Sequence, residues 1–165
     1  TALYGIDTIG LRYFNVFGRR QDPFGAYAAV IPKFAIALIN HQAPVINGDG
    51  TYSRDFTYIA NVVQANQLAA VTDNPAALNT VYNVAYGDRM DLNNLFASLR
   101  SNLADFDPAI AAIKPTYGPV RPGDVPHSLA DISKAQNLLG YAPSFSISQG
   151  LQEAARWYYD HLKNT

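Results

Sequence analysis
Two arginines in turn-rich surroundings are the residues of this 165-residue chain best suited to chemistry. Arg54 stands in Ser53-Arg54-Asp55-Phe56, a short stretch after the turn Asn47-Gly48-Asp49-Gly50, and Arg121 opens Arg121-Pro122-Gly123-Asp124. A guanidinium presents a planar fork of donors that fits two phosphate oxygens at once. Asp124 adds a carboxylate able to accept from ligand hydroxyls, and Gly123 lets the backbone pass close to a ligand. The plainer arrangement is two surface ion pairs, Arg54 with Asp55 and Arg121 with Asp124, and spacing alone favours it. Asn15 is balanced between two roles. Its amide can donate to an anion, or it can satisfy its own backbone in a turn.

Composition closes off other chemistries. The chain has no cysteine, which excludes disulfides and thiolate metal sites. His41, His127 and His161 are scattered without zinc-binding spacing, so no metal site is expected. A net charge of −1 lacks the basic excess of a nucleic-acid binder. No apolar run reaches the length of a membrane span, and no signal peptide is read, so a cytoplasmic setting fits. At 165 residues and 48% hydrophobic content, one domain with a real core is supported, and two are not. The chain opens at Thr1 without an initiator methionine, and the expectation is a fragment of a longer protein.

The elements that must hold these residues alternate. Residues 8–13 are β-rich and read as a buried strand. That sets Asn15 just past a strand's carboxyl end, where open α/β sheets bind ligands. Val30, Ile31, Phe34 and Leu38 recur at helical spacing over 30–40, with Pro32 acceptable in the first turn. Residues 44–46 read as a strand, 54–57 as extended chain, 59–71 as a helix with a wide apolar face, and 81–85 as a further strand. Asp91 is the predicted cap of a helix from 92 to about 103. Asp131 is the predicted cap of 132–139, which Gly140 ends. Ser146 and Gln149 form a capping box for the last helix, with Leu151, Ala155, Tyr158 and Leu162 along one face. Strands alternating with helices predict an α/β fold with a partly parallel sheet.

Six motifs occur in order: Leu11-Arg12-Tyr13-Phe14-Asn15-Val16-Phe17-Gly18, Gly25-Ala26-Tyr27-Ala28-Ala29-Val30-Ile31-Pro32, Asn47-Gly48-Asp49-Gly50, Ser53-Arg54-Asp55-Phe56, Tyr82-Asn83-Val84 and Arg121-Pro122-Gly123-Asp124. The series resembles the second half of the extended short-chain dehydrogenase/reductase family. Within that family it resembles the UDP-N-acetylglucosamine/UDP-N-acetylgalactosamine 4-epimerase branch. The resemblance covers nearly the whole chain. It implies an α/β fold made of the C-terminal part of a Rossmann-type parallel sheet plus the small α/β substrate-binding domain. Residues 8–13 and 81–85 would be strands of that otherwise missing Rossmann domain. It also implies a cytoplasmic homodimer, a UDP-sugar substrate, and NAD held mainly by an N-terminal half.

The same resemblance assigns roles. Arg54 and Arg121 fall on the family's diphosphate-binding arginines, and Asp124 would accept from ribose hydroxyls. Asn15 falls on a phosphate contact, and Tyr13 on a backbone contact to the nicotinamide amide. Ala28 and Ala29 precede a helix start, where free N–H groups favour anions; alone, they read more readily as helix-favouring alanines, and the resemblance tips the balance. Val45 and Asn47 resemble the strand whose backbone reads the uracil edge. Phe56 and Arg89 are weaker candidates, since a strand aromatic is more often core and a turn arginine more often solvated.

Two expected features are missing from the sequence. The dinucleotide fingerprint needs clustered glycines between a strand and a helix, and Gly48 and Gly50 lie in a turn without the third glycine. The family's catalytic Tyr-x-x-x-Lys sets a phenol one helical turn from an ammonium that lowers its pKa. Tyr159 and Lys163 have this spacing, but they sit at the end of the last helix without an upstream serine. The resemblance places the catalytic pair before Thr1. In the intact enzyme it implies that NAD takes a hydride from sugar C4 and returns it to the other face.

Overall fold
Short strand pairs, mostly parallel, organise the computed structural model, which describes residues 3–24 and 29–163. The strand β1 (Ile9–Tyr13) runs parallel to β6 (Thr80–Val84), in register from Ile9 opposite Thr80 to Tyr13 opposite Val84. Directly after it, β2 (Val16–Phe17) pairs in parallel with β5 (Thr57–Tyr58). A third parallel pair joins β3 (Val45–Asn47) to β8 (Thr116–Gly118). The antiparallel pair is β4 (Ser53–Arg54) with β7 (Met90–Asp91). Parallel partners need long crossovers. Here they contain the helices α1 (Val30–Ile39), α2 (Ile59–Val71) and α3 (Leu92–Ala104). The helices α4 (Ser133–Leu139) and α5 (Ile147–Leu162) complete the mixed α/β architecture.

Two apolar clusters hold these elements. In the larger, α1, α3 and α5 pack together through Phe34, Leu38, Leu99, Leu103, Leu151 and Tyr158, all buried. Phe34 and Phe96 meet edge-on at 6.4 Å, a favoured aromatic geometry. The smaller cluster sets Tyr82 and Val84 of β6 against Ala65 of α2 and Ala135 of α4.

Local signals act as the sequence predicts at several ends. The Asp91 side chain accepts from Asn94 N–H and caps α3. Gly140 ends α4 with φ 68°, a left-handed conformation that suits glycine. Ser146 Oγ accepts from Gln149 N–H at 3.2 Å, and Gln149 Oε1 accepts from Ser146 N–H at 2.9 Å. Leu151, Ala155, Tyr158 and Leu162 form the buried face of α5.

Other expectations change. The first strand is not buried: Arg12 and Tyr13 are exposed, because among the described residues β1 has β6 as its one strand neighbour. Val81 on that partner is 50% exposed as well. The apolar face of α2 is narrow. It buries Asn61, Val62 and Ala65, while Val63 and Val71 face solvent. Asn61 is held by Phe145, donating to its carbonyl at 2.8 Å and accepting from its N–H at 3.1 Å. The helix α4 starts one residue late, at Ser133, with Ile132 at the cap position and buried in the smaller cluster. Asp131 still accepts from Ser133 N–H at 2.9 Å, but from outside the cap position.

Candidate functional site
The turn between β1 and β2, the start of α1, strands β3 and β4, and the loop after β8 surround a cavity of about 530 Å³. Asn15, Ala29, Val45, Asn47, Arg54, Arg121 and Asp124 all line it. These residues are scattered over more than half the sequence, and the fold brings them to one place. Ala28 lies outside the described residues.

Arg54 leaves β4 half-buried and heavily committed. Its Nη2 pairs with Asp124 Oδ1 at 2.6 Å, across 70 positions of sequence. Its Nη1 donates to the carbonyls of Ser53 at 2.9 Å and Pro126 at 3.3 Å. Neither ion pair considered from spacing forms; the partner of Arg54 is Asp124. The loop carrying Arg121 and Asp124 is pinned to β4 by further bonds. Ser53 N–H donates to Pro126 O at 2.9 Å, and Ser128 N–H donates to Ser53 O at 3.1 Å. Ser53 Oγ and His127 Nδ1 lie 2.9 Å apart. Arg121 itself is exposed at the cavity wall, in a turn closed by Asp124 N–H donating to its carbonyl at 3.2 Å.

Asn15 adopts φ 35° at a bend, and its side chain reaches across the fold and does not satisfy its own backbone. Its Nδ2 donates to the Asp55 carbonyl at 3.2 Å, and its own carbonyl accepts from Thr57 N–H at 3.2 Å. An amide nitrogen carries two hydrogens, so one remains for a ligand. Ala29 is the extended residue ahead of α1, with no side-chain cap there. The first N–H groups of α1 therefore have no helical partner, and Pro32 has none to offer.

Asp55, one residue from Arg54, turns the opposite way and is fully buried. Its carboxylate accepts from Tyr86 N–H and Gly87 N–H at 3.1 Å, and from Ala130 N–H at 3.4 Å. Burial pushes its pKa above the ordinary carboxylate value, with the three backbone donors pulling the other way. Close by, Tyr141 donates its hydroxyl to Ala85 O at 2.8 Å. Burial, and then the charge of Asp55, pushes that phenol up too.

Further cavity residues were not singled out by sequence. Lys33, Phe34 and Ala37 of α1 line it, as do Tyr52 and Leu92. The available signal was the spacing of Ala29, Lys33 and Ala37, which puts them on one helical face. Phe56, a weaker candidate, lines the cavity and is buried.

Two other sequence candidates, Tyr13 and Arg89, lie elsewhere, as does the Tyr159–Lys163 pair that the sequence argues against as a catalytic pair. Tyr13 is 48% exposed and donates its hydroxyl to Asn66 Oδ1 at 3.1 Å. Arg89 borders a separate cleft with Tyr86 and Asn94. Tyr159 and Lys163 do contact each other, Nζ donating to the phenol oxygen at 2.9 Å, but at the C-terminal end of α5, away from the cavity. Among the described residues no His, Asp or Glu cluster could hold a metal ion, and no helix is long and apolar enough to cross a membrane. The cavity's polar wall, rich in arginine and open backbone donors, is suited to holding an anion.

Known proteins share this architecture. The chain superposes on the UDP-glucose 4-epimerase of Thermotoga maritima, solved with UDP-glucose, with a TM-score of 0.85 and 35% identity, covering 98% of this chain and 48% of that one. It is 43% identical to the UDP-N-acetylglucosamine 4-epimerase of Methanobrevibacter ruminantium M1, solved with UDP-N-acetylmuramic acid, with a TM-score of 0.82 over 96% of this chain and 48% of that one. It is also 29% identical to the UDP-glucose 4-epimerase of Mycolicibacterium smegmatis, over 94% of this chain and 47% of that protein. The chain thus spans about half the length of the curated relatives it matches. The family model described as GDP-mannose 4,6 dehydratase matches residues 1–154. The chain belongs to that family, among the extended short-chain dehydrogenase/reductases that its ordered motifs resemble.

Proposed function
We propose that this chain is the nucleotide-sugar-binding portion of an NAD-dependent UDP-(N-acetyl)hexosamine 4-epimerase. The observation that carries the reading is the convergence of Asn15, Arg54, Arg121 and Asp124 on one cavity beside the open start of α1. In this reading Arg54, Arg121, Asn15 and the N–H groups after Ala28 and Ala29 take the diphosphate. Asp124 accepts from the ribose, and Val45 and Asn47 present backbone to the base. Tyr13 contributes a backbone contact to the cofactor.

NAD fits this chain poorly by itself. The described residues contain no strand–turn–helix with clustered glycines, and Gly48 and Gly50 connect β3 to the antiparallel strand β4. The reading therefore assigns the cofactor mainly to sequence beyond this chain. It makes the half-exposed pair β1–β6 part of a Rossmann-type sheet that continues there, in a cytoplasmic homodimer. A sibling dehydratase, decarboxylase or uronate epimerase is the second reading, favoured by the family model's own description and by relatives of the latter two kinds.

Calorimetric titration of the full-length protein with UDP tests the site. Arg54→Ala and Arg121→Ala are each expected to weaken binding by about 1.5–3 kcal/mol, the range for a hydrogen bond to a charged group. Unchanged affinity in both variants would overturn the assignment.

A further inference from the structure
We infer that Lys33 is a third cation of this cavity and contacts the diphosphate, an inference that rests on the nucleotide-sugar reading above. The described lining residues carry Lys33, Arg54 and Arg121 against one carboxylate, Asp124. That is a local excess of two positive charges in a chain whose net charge is −1. Arg54 is already neutralised by Asp124 at 2.6 Å and donates to two carbonyls besides. The charges left over are those of Arg121 and Lys33. A diphosphate diester carries two negative charges, so Arg121 alone leaves one unmatched.

The position of Lys33 supports the same role. It is exposed, four residues after Ala29, on the face of α1 that Ala29 and Ala37 also present to the cavity. Its ammonium has no described hydrogen-bond or ion-pair partner. The first turn of α1 contains no acidic residue to balance it. A cation near a helix N-terminus is repelled by the helix dipole. A bound anion in the cavity reverses that penalty, because it draws favourably on both the dipole and the ammonium. Without a ligand, Lys33 is a mild burden on α1.

The test compares UDP with uridine, which lacks the phosphates, by titration of the full-length protein. Lys33→Gln is expected to weaken UDP binding about tenfold, as for one charge-assisted contact. Uridine affinity and the melting temperature of the unliganded protein should not fall. Lys33→Arg should restore most of the UDP affinity. If Lys33→Gln binds UDP like the parent while Arg121→Ala does not, Lys33 has no phosphate role and the nucleotide reading survives. An equal loss for UDP and uridine would also overturn the inference, since it marks a packing effect. A parent protein that binds no UDP overturns the nucleotide reading itself.

Discussion
Asp55 is the side chain whose replacement tells most about how the site is built. It ties the strand carrying Arg54 to the Tyr86–Gly87 turn and to Ala130, while its carbonyl holds Asn15. Asp55→Asn keeps the shape but turns an NH₂ group toward backbone donors. At least one buried N–H is then unpaired, and the expected loss is about 1–3 kcal/mol of stability. The pH dependence follows from the raised pKa of the parent carboxyl. A folded value above the ordinary 3.8 means Asp55 binds its proton more tightly when folded. Its contribution to stability is fully present below 3.8 and lost as pH rises through the folded value. The amide does not titrate, so the deficit of Asp55→Asn should narrow from acidic to neutral pH. Denaturant unfolding of both proteins over that range measures it. A deficit that widens with pH would contradict the buried-carboxylate account.

Among the elements, α5 depends on a close approach. At Gly150 a Cβ would sit 2.7 Å from Tyr58 Cβ and 2.9 Å from the Phe17 ring. Those residues belong to β5 and β2, the parallel pair next to Asn15. The contact is tight because Tyr58 also packs its ring at 5.6 Å from Phe17 and 5.1 Å from Phe145. Alanine is the better helix former, so propensity alone predicts that Gly150→Ala stabilises α5. Overpacking opposes it at about 1–3 kcal/mol, because Tyr58 Cβ is fixed by its own backbone and cannot swing aside as the end of a long side chain would. The net expectation is a lower melting temperature, read by circular dichroism. A higher one would mean that α5 stands off from the β2–β5 pair.

For the whole molecule, the proposed function carries an expectation about sugar choice. Identity is 43% to the UDP-N-acetylglucosamine 4-epimerase and 35% to the Thermotoga UDP-glucose 4-epimerase, over nearly the same span. We therefore expect the full-length protein to turn over UDP-N-acetylhexosamine at least as well as UDP-glucose. Steady-state rates on both substrates check this, and a strong preference for UDP-glucose would refute it. In the proposed function the cavity described above takes the nucleotide end. In that same proposal the sugar pocket draws on a preceding half, and the uncovered surfaces of Tyr13 and Val81 suit further strands beside β1 and β6.

The sequence by itself determined what neighbours in the chain can settle. Asp91, Gly140 and the Ser146–Gln149 box mark helix ends through bonds between residues close in sequence. Apolar spacing placed α1 and α5, and the order of the motifs picked out Asn15, Arg54, Arg121 and Asp124. Even some local signals lost to packing, as at Ile132, where burial in the smaller cluster displaced the expected start of α4. Tertiary structure alone decided the partner of Arg54, the inward turn of Asp55 and the side of α1 that meets the cavity. Each of these joins residues far apart in sequence, or depends on which face of an element its neighbours cover. Residue type and short-range spacing hold no record of either. Asp55 is adjacent to Arg54, and only the packing of β4 against the later loops sends one side chain to the cavity and the other to the core.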